Sequence, residues 1–152
     1  MIIRKIKNYY LLLLSITLVL IDQYSKYYIY NNSQNLLNNS FLIFKLNYVK
    51  NYGAAFNILE GNRFFLIIIS LSATFILLYL ILFLKKIKQE EKVYYSIILG
   101  GTLGNAIDRI LNGYVLDFIE IKYINFPIFN LADLFINVGF IGLIYIFLKS
   151  DK

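Results

Sequence analysis

The sequence predicts an all-α integral membrane protein, a bundle of four transmembrane helices with a small extracytoplasmic β-structure and a short interfacial helix. Three observations predict it. The 152 residues are 59% hydrophobic and only 16% charged, far more apolar than a soluble domain. The apolar residues also come in unbroken runs. Residues 64–84 carry no charge, and as a helix they reach roughly 31 Å, the thickness of a bilayer core. Third, many basic residues gather at one set of run ends. Arg4, Lys5 and Lys7 precede the first run, Lys85, Lys86, Lys88 and Lys92 follow the second, and Lys149 and Lys152 close the chain. This positive-inside pattern puts both termini in the cytoplasm. The net charge of +6 therefore speaks for membrane topology. Nucleic acid is excluded as a partner, because it calls for one continuous basic patch.

The first transmembrane helix is expected at about 9–30. A basic stretch precedes it, as in a signal peptide, but Ile21, Asp22, Gln23, Tyr24, Ser25 and Lys26 offer no small-residue cleavage site, so the helix is retained. The outer connection 31–63 follows. Its Asn-rich start, 31–40, reads as irregular, 41–49 as a strand, and 54–59 as the short interfacial helix. The second helix covers 64–84, and the short charged connection 85–92 is cytoplasmic. The third helix covers 93–111. In the second outer connection, 112–128, residues 115–124 read as another strand, with Glu120 and Lys122 on one face. The two strands are expected to pair into a small sheet lying on the membrane. The fourth helix covers 129–148. No repeat or linker divides the chain, so 1–152 is read as a single membrane domain.

With no cysteine and no histidine, thiol nucleophiles, His-dependent triads and nearly all zinc sites are excluded. Carboxylates remain, and their depths are informative. Helical rise puts Asp22 roughly 20 Å, and Asp108 and Asp133 about 22 Å, above the cytoplasmic ends of their helices. All three fall in the outer third of the membrane, where ionisable side chains are costly and usually mark function. Each has companions on its own helix face: Ser25 and Lys26 with Asp22, Asn105 and Arg109 with Asp108, Asn130 and Asn137 with Asp133. Lipid cannot satisfy such stripes, so they must face one another. Gly100 and Gly104 form a small-xxx-small pair that permits the close helix approach required.

Blander readings exist for each acid alone. Asp22 with Lys26 can be an interfacial ion pair, Asp108 with Arg109 a helix end meeting water, and Asp117 an ordinary loop acid. Asp133 is hardest to explain this way, because it lies four residues inside an apolar helix with no adjacent base. The common depth favours a site. Two close carboxylates cannot both ionise easily, so one keeps a proton while the other acts as base. That pair can activate water and protonate a leaving amine, which is peptide hydrolysis without metal or cofactor. Residue types alone leave the pair open among Asp22, Asp108, Asp117 and Asp133. Lys26 and Arg109 should keep Asp22 and Asp108 ionised, which leaves Asp117 and Asp133 without a local cation.

Five motifs carry a resemblance. Asp22-Gln23-Tyr24-Ser25-Lys26, Asn51-Tyr52-Gly53-Ala54-Ala55-Phe56 and the run from Gly100 through Gly104, Asn105 and Asp108 to Arg109 are three of them. Val115-Leu116-Asp117-Phe118-Ile119 and Phe129-Asn130-Leu131-Ala132-Asp133 are the others. In identity and order they resemble the lipoprotein signal peptidase (signal peptidase II) family. The resemblance implies four transmembrane helices, a site near the outer face of a bacterial cytoplasmic membrane, and cleavage of prolipoproteins before the diacylglyceryl-modified lipobox cysteine. It implies Asp117 and Asp133 as the catalytic pair. Asn51, Gly53, Asn105, Arg109 and Asn130 are then positioning or substrate-binding residues, and Asp22, Lys26 and Asp108 supporting ones. Membrane lipids and lipid-modified prolipoproteins are the implied partners, and globomycin-type peptides the implied inhibitors. Phe126 departs from the family's usual Trp before Pro127, and Thr102 from a usual Ala.

Two rivals fit less well. A proton-coupled exporter needs a mid-membrane acid and short loops. A Mg²⁺-dependent phospholipid transferase needs further acids closely spaced on one helix, and the residue four beyond Asp117 is Ile121.

Overall fold

The computed structural model describes residues 2–36, 41–53 and 59–150. The expected interfacial helix at 54–59 lies outside these residues except for Leu59, which sits in a turn with φ 61°. Among the described residues, four helices and two strands follow in the order α1 (Ile2–Leu36), β1 (Phe44–Asn51), α2 (Arg63–Leu82), α3 (Gln89–Leu111), β2 (Val115–Ile121) and α4 (Leu131–Ser150).

α3 is the central helix and packs against α1, α2 and α4, while α1 and α2 barely meet. Glycine explains the close contacts with α1 and α4. A Cβ on Gly100 would strike Leu18 of α1, one on Gly101 the Ala132 carbonyl of α4, and one on Gly104 the Asp22 carboxylate, 2.5 Å away. Gly139 and Gly142 of α4 likewise admit Ile98 and Tyr94 of α3. The expected close approach through Gly100 and Gly104 is therefore present, and Gly101, Gly139 and Gly142 extend it to α4. Farther from the sheet, Leu11, Leu77, Ile81, Ile98 and Leu99 form an apolar core between α1, α2 and α3.

The lateral faces are apolar and uncovered. Phe75, Ile76 and Tyr79 of α2 are exposed, as are Phe140, Ile141, Ile144 and Phe147 of α4. α2 and α4 are each long and apolar enough to cross a membrane, yet few of their residues are buried. A helix apolar all round and left uncovered requires an apolar surrounding, which lipid supplies. α1 and α3 carry the polar clusters and are less apolar.

The basic residues counted toward topology are not all surface charges. Lys92 is 1% exposed, and its Nζ donates to the Ile81 carbonyl in the last turn of α2, where a cation complements the helix dipole.

The antiparallel sheet is shifted from its expected limits. β1 runs from Phe44 to Asn51 instead of 41–49, and β2 ends at Ile121, so Lys122 lies beyond the strand. The apolar stretch 41–43 suggests an earlier start, but the paired register begins at Phe44, with the Ile43 carbonyl accepting one further hydrogen bond, from the Lys122 N–H at 3.0 Å. An irregularity between Leu46 and Val49 breaks the register, after which Val49 faces Asp117 and Asn51 faces Val115. Strand alternation then divides β2. Leu116 and Phe118 pack with Ile29 of α1, while Val115 and Asp117 face a cavity together with Val49 and Asn51. Beyond β2 the chain returns, and Phe129 exchanges backbone hydrogen bonds with Ile119. This return sets Asn130, at the threshold of α4, beside Asp117.

Candidate active site

The expected polar stripes converge. Asp22, Lys26, Asn105, Asp108, Asp117 and Asn130 are all buried, and they form one hydrogen-bonded layer joining α1, α3, β2 and α4. Lys26 is its cationic centre. Its Nζ lies 2.8 Å from Asp22 Oδ2 and 2.8 Å from Asp108 Oδ2, and it donates to Asn105 Oδ1 at 3.1 Å. The ammonium donates to Asp22 and Asn105, and it holds Asp108 by charge as an ion pair. Gln23 closes the group from the side, its Nε2 donating to Asp108 Oδ1 at 3.0 Å and to the Gly104 carbonyl at 3.1 Å.

One expected pairing is not made. Helical spacing pairs Arg109 with its neighbour Asp108, but in the structure Asp108 pairs with Lys26 across the helix interface. Adjacent helical residues point about 100° apart, so Arg109 faces elsewhere. Its Nη2 donates to the Gly53 carbonyl at 2.9 Å, and the carboxylate charges that act on it most strongly are Asp133 and then Asp117, with Asp108 third. Asp117 and Asp133 thus do have a cation near them, one that chain spacing could not reveal.

Asp133 also sits differently from expectation. α4 begins at Leu131, so Asp133 lies in the first turn. Asn130 Oδ1 accepts the Asp133 N–H at 3.0 Å, and Asp133 Oδ2 accepts the Asn130 N–H at 3.3 Å. This is a reciprocal capping box, with Asn and Asp in the usual cap and third-residue places. A carboxylate there is favoured by the helix dipole. Asn105 Nδ2 donates to Asp133 Oδ1 at 2.8 Å, so both oxygens have fixed donors. Asp22 completes the turn, its Oδ1 accepting the Ala132 N–H at 2.9 Å.

Asp117 is no surface loop acid; it is 2% exposed within β2. Asn130 Nδ2 donates to its Oδ1 at 2.6 Å and Asn51 Nδ2 to its Oδ2 at 2.9 Å. Burial, and next the charge of Asp133, push its carboxyl up from 3.8 to about 6 in spite of those two amides. One residue, Asn130, therefore touches both acids, and Asn105 links it to Asp133. Asn130 serves Asp117 through its side chain and Asp133 through its backbone and Oδ1. Asn105 accepts from Asn130 at 3.2 Å and donates to Asp133.

Asp117 and Asp133 share the wall of a cavity of about 470 Å³ with Asn51, Asn105, Arg109 and Asn137. The rest of its lining is largely apolar, with Val49, Phe126, Pro127, Ile128 and Ile136. Asp22, Lys26 and Asp108 do not line it. Such a chamber suits an extended apolar chain presented to two acids.

The fold is shared with known proteins. A family model described as signal peptidase (SPase) II matches residues 14–149. The chain belongs to the signal peptidase II family. Among its relatives, a lipoprotein signal peptidase of Caldicellulosiruptor bescii is 48% identical over 108 residues, covering 71% of this chain and 69% of that protein. One of Gloeothece citriformis is 40% identical over 136 residues, covering 88% and 85%. A solved bacterial membrane enzyme, determined by the in meso method at 2.3 Å resolution, superposes with a TM-score of 0.81 at 33% identity, covering 93% of this chain and 89% of that one. As a signal peptidase II the chain is a protease of lipoprotein processing and a bacterial membrane enzyme.

Sequence reasoning missed Gln23's link to Asp108, the Phe129 bridge and the part taken by Arg63 in capping α3. A partial signal for Arg63 existed, since a lone arginine stands at the head of an otherwise apolar helix. The Phe129 bridge gave none.

Proposed function

We propose that this signal peptidase II removes the signal peptides of prolipoproteins with Asp117 and Asp133 as a water-activating pair, cutting before the diacylglyceryl-modified cysteine. The observation that carries the assignment is the shared cavity wall. Only these two acids, among the described residues, line the cavity together with the amides that hold them. Asp117, with its raised carboxyl, is the proton-bearing acid of the pair. Asp133, beside Arg109 and at a helix N-terminus, is the base that draws a proton from water. Asp117 then gives its proton to the leaving amine. Asn51, Asn105 and Asn130 hold the two carboxylates, Arg109 and Gly53 fix the rim, and Asp22, Lys26 and Asp108 brace the helices behind them.

The same reading makes residues 1–152 a single membrane domain that crosses the bilayer four times. Both termini and residues 85–92 are then cytoplasmic, and the sheet and cavity lie at the outer face. The apolar side of the cavity receives the signal peptide, lipid contacts the exposed faces of α2 and α4, and a globomycin-type peptide competes for the cavity.

The direct test is cleavage of a purified prolipoprotein with and without its diacylglyceryl group. Cleavage of the modified form alone, blocked by a globomycin-type peptide, is the expected result. Equal cleavage of both forms would remove lipid recognition from the account.

A further inference from the structure

A line of hydrogen bonds leads from the start of α2 to Asp117. The last carbonyls of a helix have no partner within it, and at the end of α3 an arginine from another helix takes two of them. Arg63, the first residue of α2, donates from Nε to the Arg109 carbonyl at 2.8 Å and from Nη2 to the Ile110 carbonyl at 2.9 Å. Its guanidinium lies against Gly113, where φ is 84° and an added Cβ would stand 3.2 Å from Nη1. Glycine there serves the left-handed turn and leaves room for the arginine plane.

From that pinned turn Arg109 reaches the other way, Nη2 to the Gly53 carbonyl at 2.9 Å. The Gly53 N–H donates to Asn51 Oδ1 at 2.9 Å. With its oxygen so engaged, the Asn51 amide must turn its Nδ2 outward, and that nitrogen donates to Asp117 Oδ2 at 2.9 Å. Arg63 itself is exposed and lines no part of the cavity.

We propose that Arg63 is a positioning residue for Asp117: it pins the last turn of α3, and through Arg109, Gly53 and Asn51 it fixes the amide that holds the carboxylate. The role needs arginine, because a planar fork can take two neighbouring carbonyls where an ammonium makes a single-point contact. This inference rests on the assignment of Asp117 to catalysis.

The test compares full-length wild type, Arg63→Ala, Arg63→Lys and Asp117→Asn. Cleavage of diacylglyceryl-modified prolipoprotein is followed across pH, alongside thermal unfolding in detergent. Arg63→Ala should lower kcat about tenfold with KM little changed, since small displacements of a reacting group are costly. Arg63→Lys should recover little of the loss. Ethylguanidinium should restore Arg63→Ala, the site being open to solvent, and ethylammonium should not. The limb of kcat/KM that reports Asp117 should move to higher pH, because a looser Asn51 favours the ionised carboxylate less. Wild-type kcat and an unmoved limb in Arg63→Ala, with Asp117→Asn inactive, would overturn the proposal and leave the catalytic assignment standing. So would a loss that follows thermal stability while the limb stays in place. If Arg63→Ala does not fold, Arg63→Lys carries the same comparison. Near-normal turnover in Asp117→Asn would sink the catalytic assignment and this inference with it.

Discussion

Asp117 holds its proton to about pH 6 because it is buried and faces Asp133, and this has consequences for activity and for stability. For activity, kcat/KM should fall as pH rises through about 6, as the free enzyme loses the proton destined for the leaving amine; the titration belongs to the pair. A profile flat from pH 5 to 8 would contradict that role. For stability the sign is opposite to that of a salt-bridged acid. The folded state binds a proton that the unfolded chain releases near 3.8, so the contribution is full below pH 4 and lost as pH rises through 6. Asp117→Asn should therefore unfold at a higher temperature than wild type at pH 8 and lose that advantage at pH 4. Two pKa units amount to about 3 kcal/mol at most, and less here, since an asparagine amide would meet Asn51 or Asn130 with a like group. Asp22→Asn should behave differently. It can still accept the Ala132 N–H but leaves Lys26 with Asp108 alone among carboxylates. Because Asp108 stays with Lys26, a stability loss of about 1–3 kcal/mol, with partial activity, is expected from detergent unfolding and initial rates. These roles were only half legible in the sequence. Burial of charged side chains in an apolar chain marked Asp22, Asp108 and Asp133 as a set. Which cation serves which acid depends on the rotation of α3 against α1, and chain spacing carries no record of that.

At the scale of elements, α3 and α4 meet through glycines that leave no room for a side chain. Gly101→Val should force the helices apart, because even a Cβ collides with the backbone carbonyl of Ala132. Overpacking costs about 1–3 kcal/mol in yielding cores, and a backbone carbonyl cannot yield. The variant should lose thermal stability and activity together, since Ala132 is next to Asp133; retention of either at wild-type level would contradict the packing. The helices themselves were legible because apolar runs as long as 64–84 allow no other structure in a bilayer. Their ends were less so. α1 extends from Ile2 to Leu36, past both expected limits, because polar residues outside an apolar run can continue a helix into water. The start of α4 depended on Asn130 and Asp133 capping each other, a pattern present in the motif but overlooked for a longer apolar run.

For the whole molecule, the basic ends of the helices and the apolar, uncovered faces of α2 and α4 argue for one orientation in a bilayer. Reporter tags at either terminus and at residue 88 should be cytoplasmic, and tags near residues 36 and 122 external. An external terminus would break the four-span topology. Hydrolysis should survive exhaustive EDTA treatment, because two carboxylates suffice to activate water; activity lost to chelator and restored by Mg²⁺ or Zn²⁺ would require another mechanism. The sheet was legible as two strands but not as a device. Its irregular register past Leu46 and the returning Phe129 bring Asn51, Asp117 and Asn130 together, and such long-range pairing leaves no local trace.

The most direct measurement is the initial rate of prolipoprotein cleavage by Asp117→Asn, Asp133→Asn and the double variant, each shown to be folded by detergent unfolding. Each single substitution keeps the size of the side chain and removes either the base or the acid. Each should reduce turnover by orders of magnitude, and the double variant should be little worse than either single one, since the two act as a unit. Near-normal turnover in either single variant, or total loss only when Asp22 or Asp108 is changed, would contradict the pair.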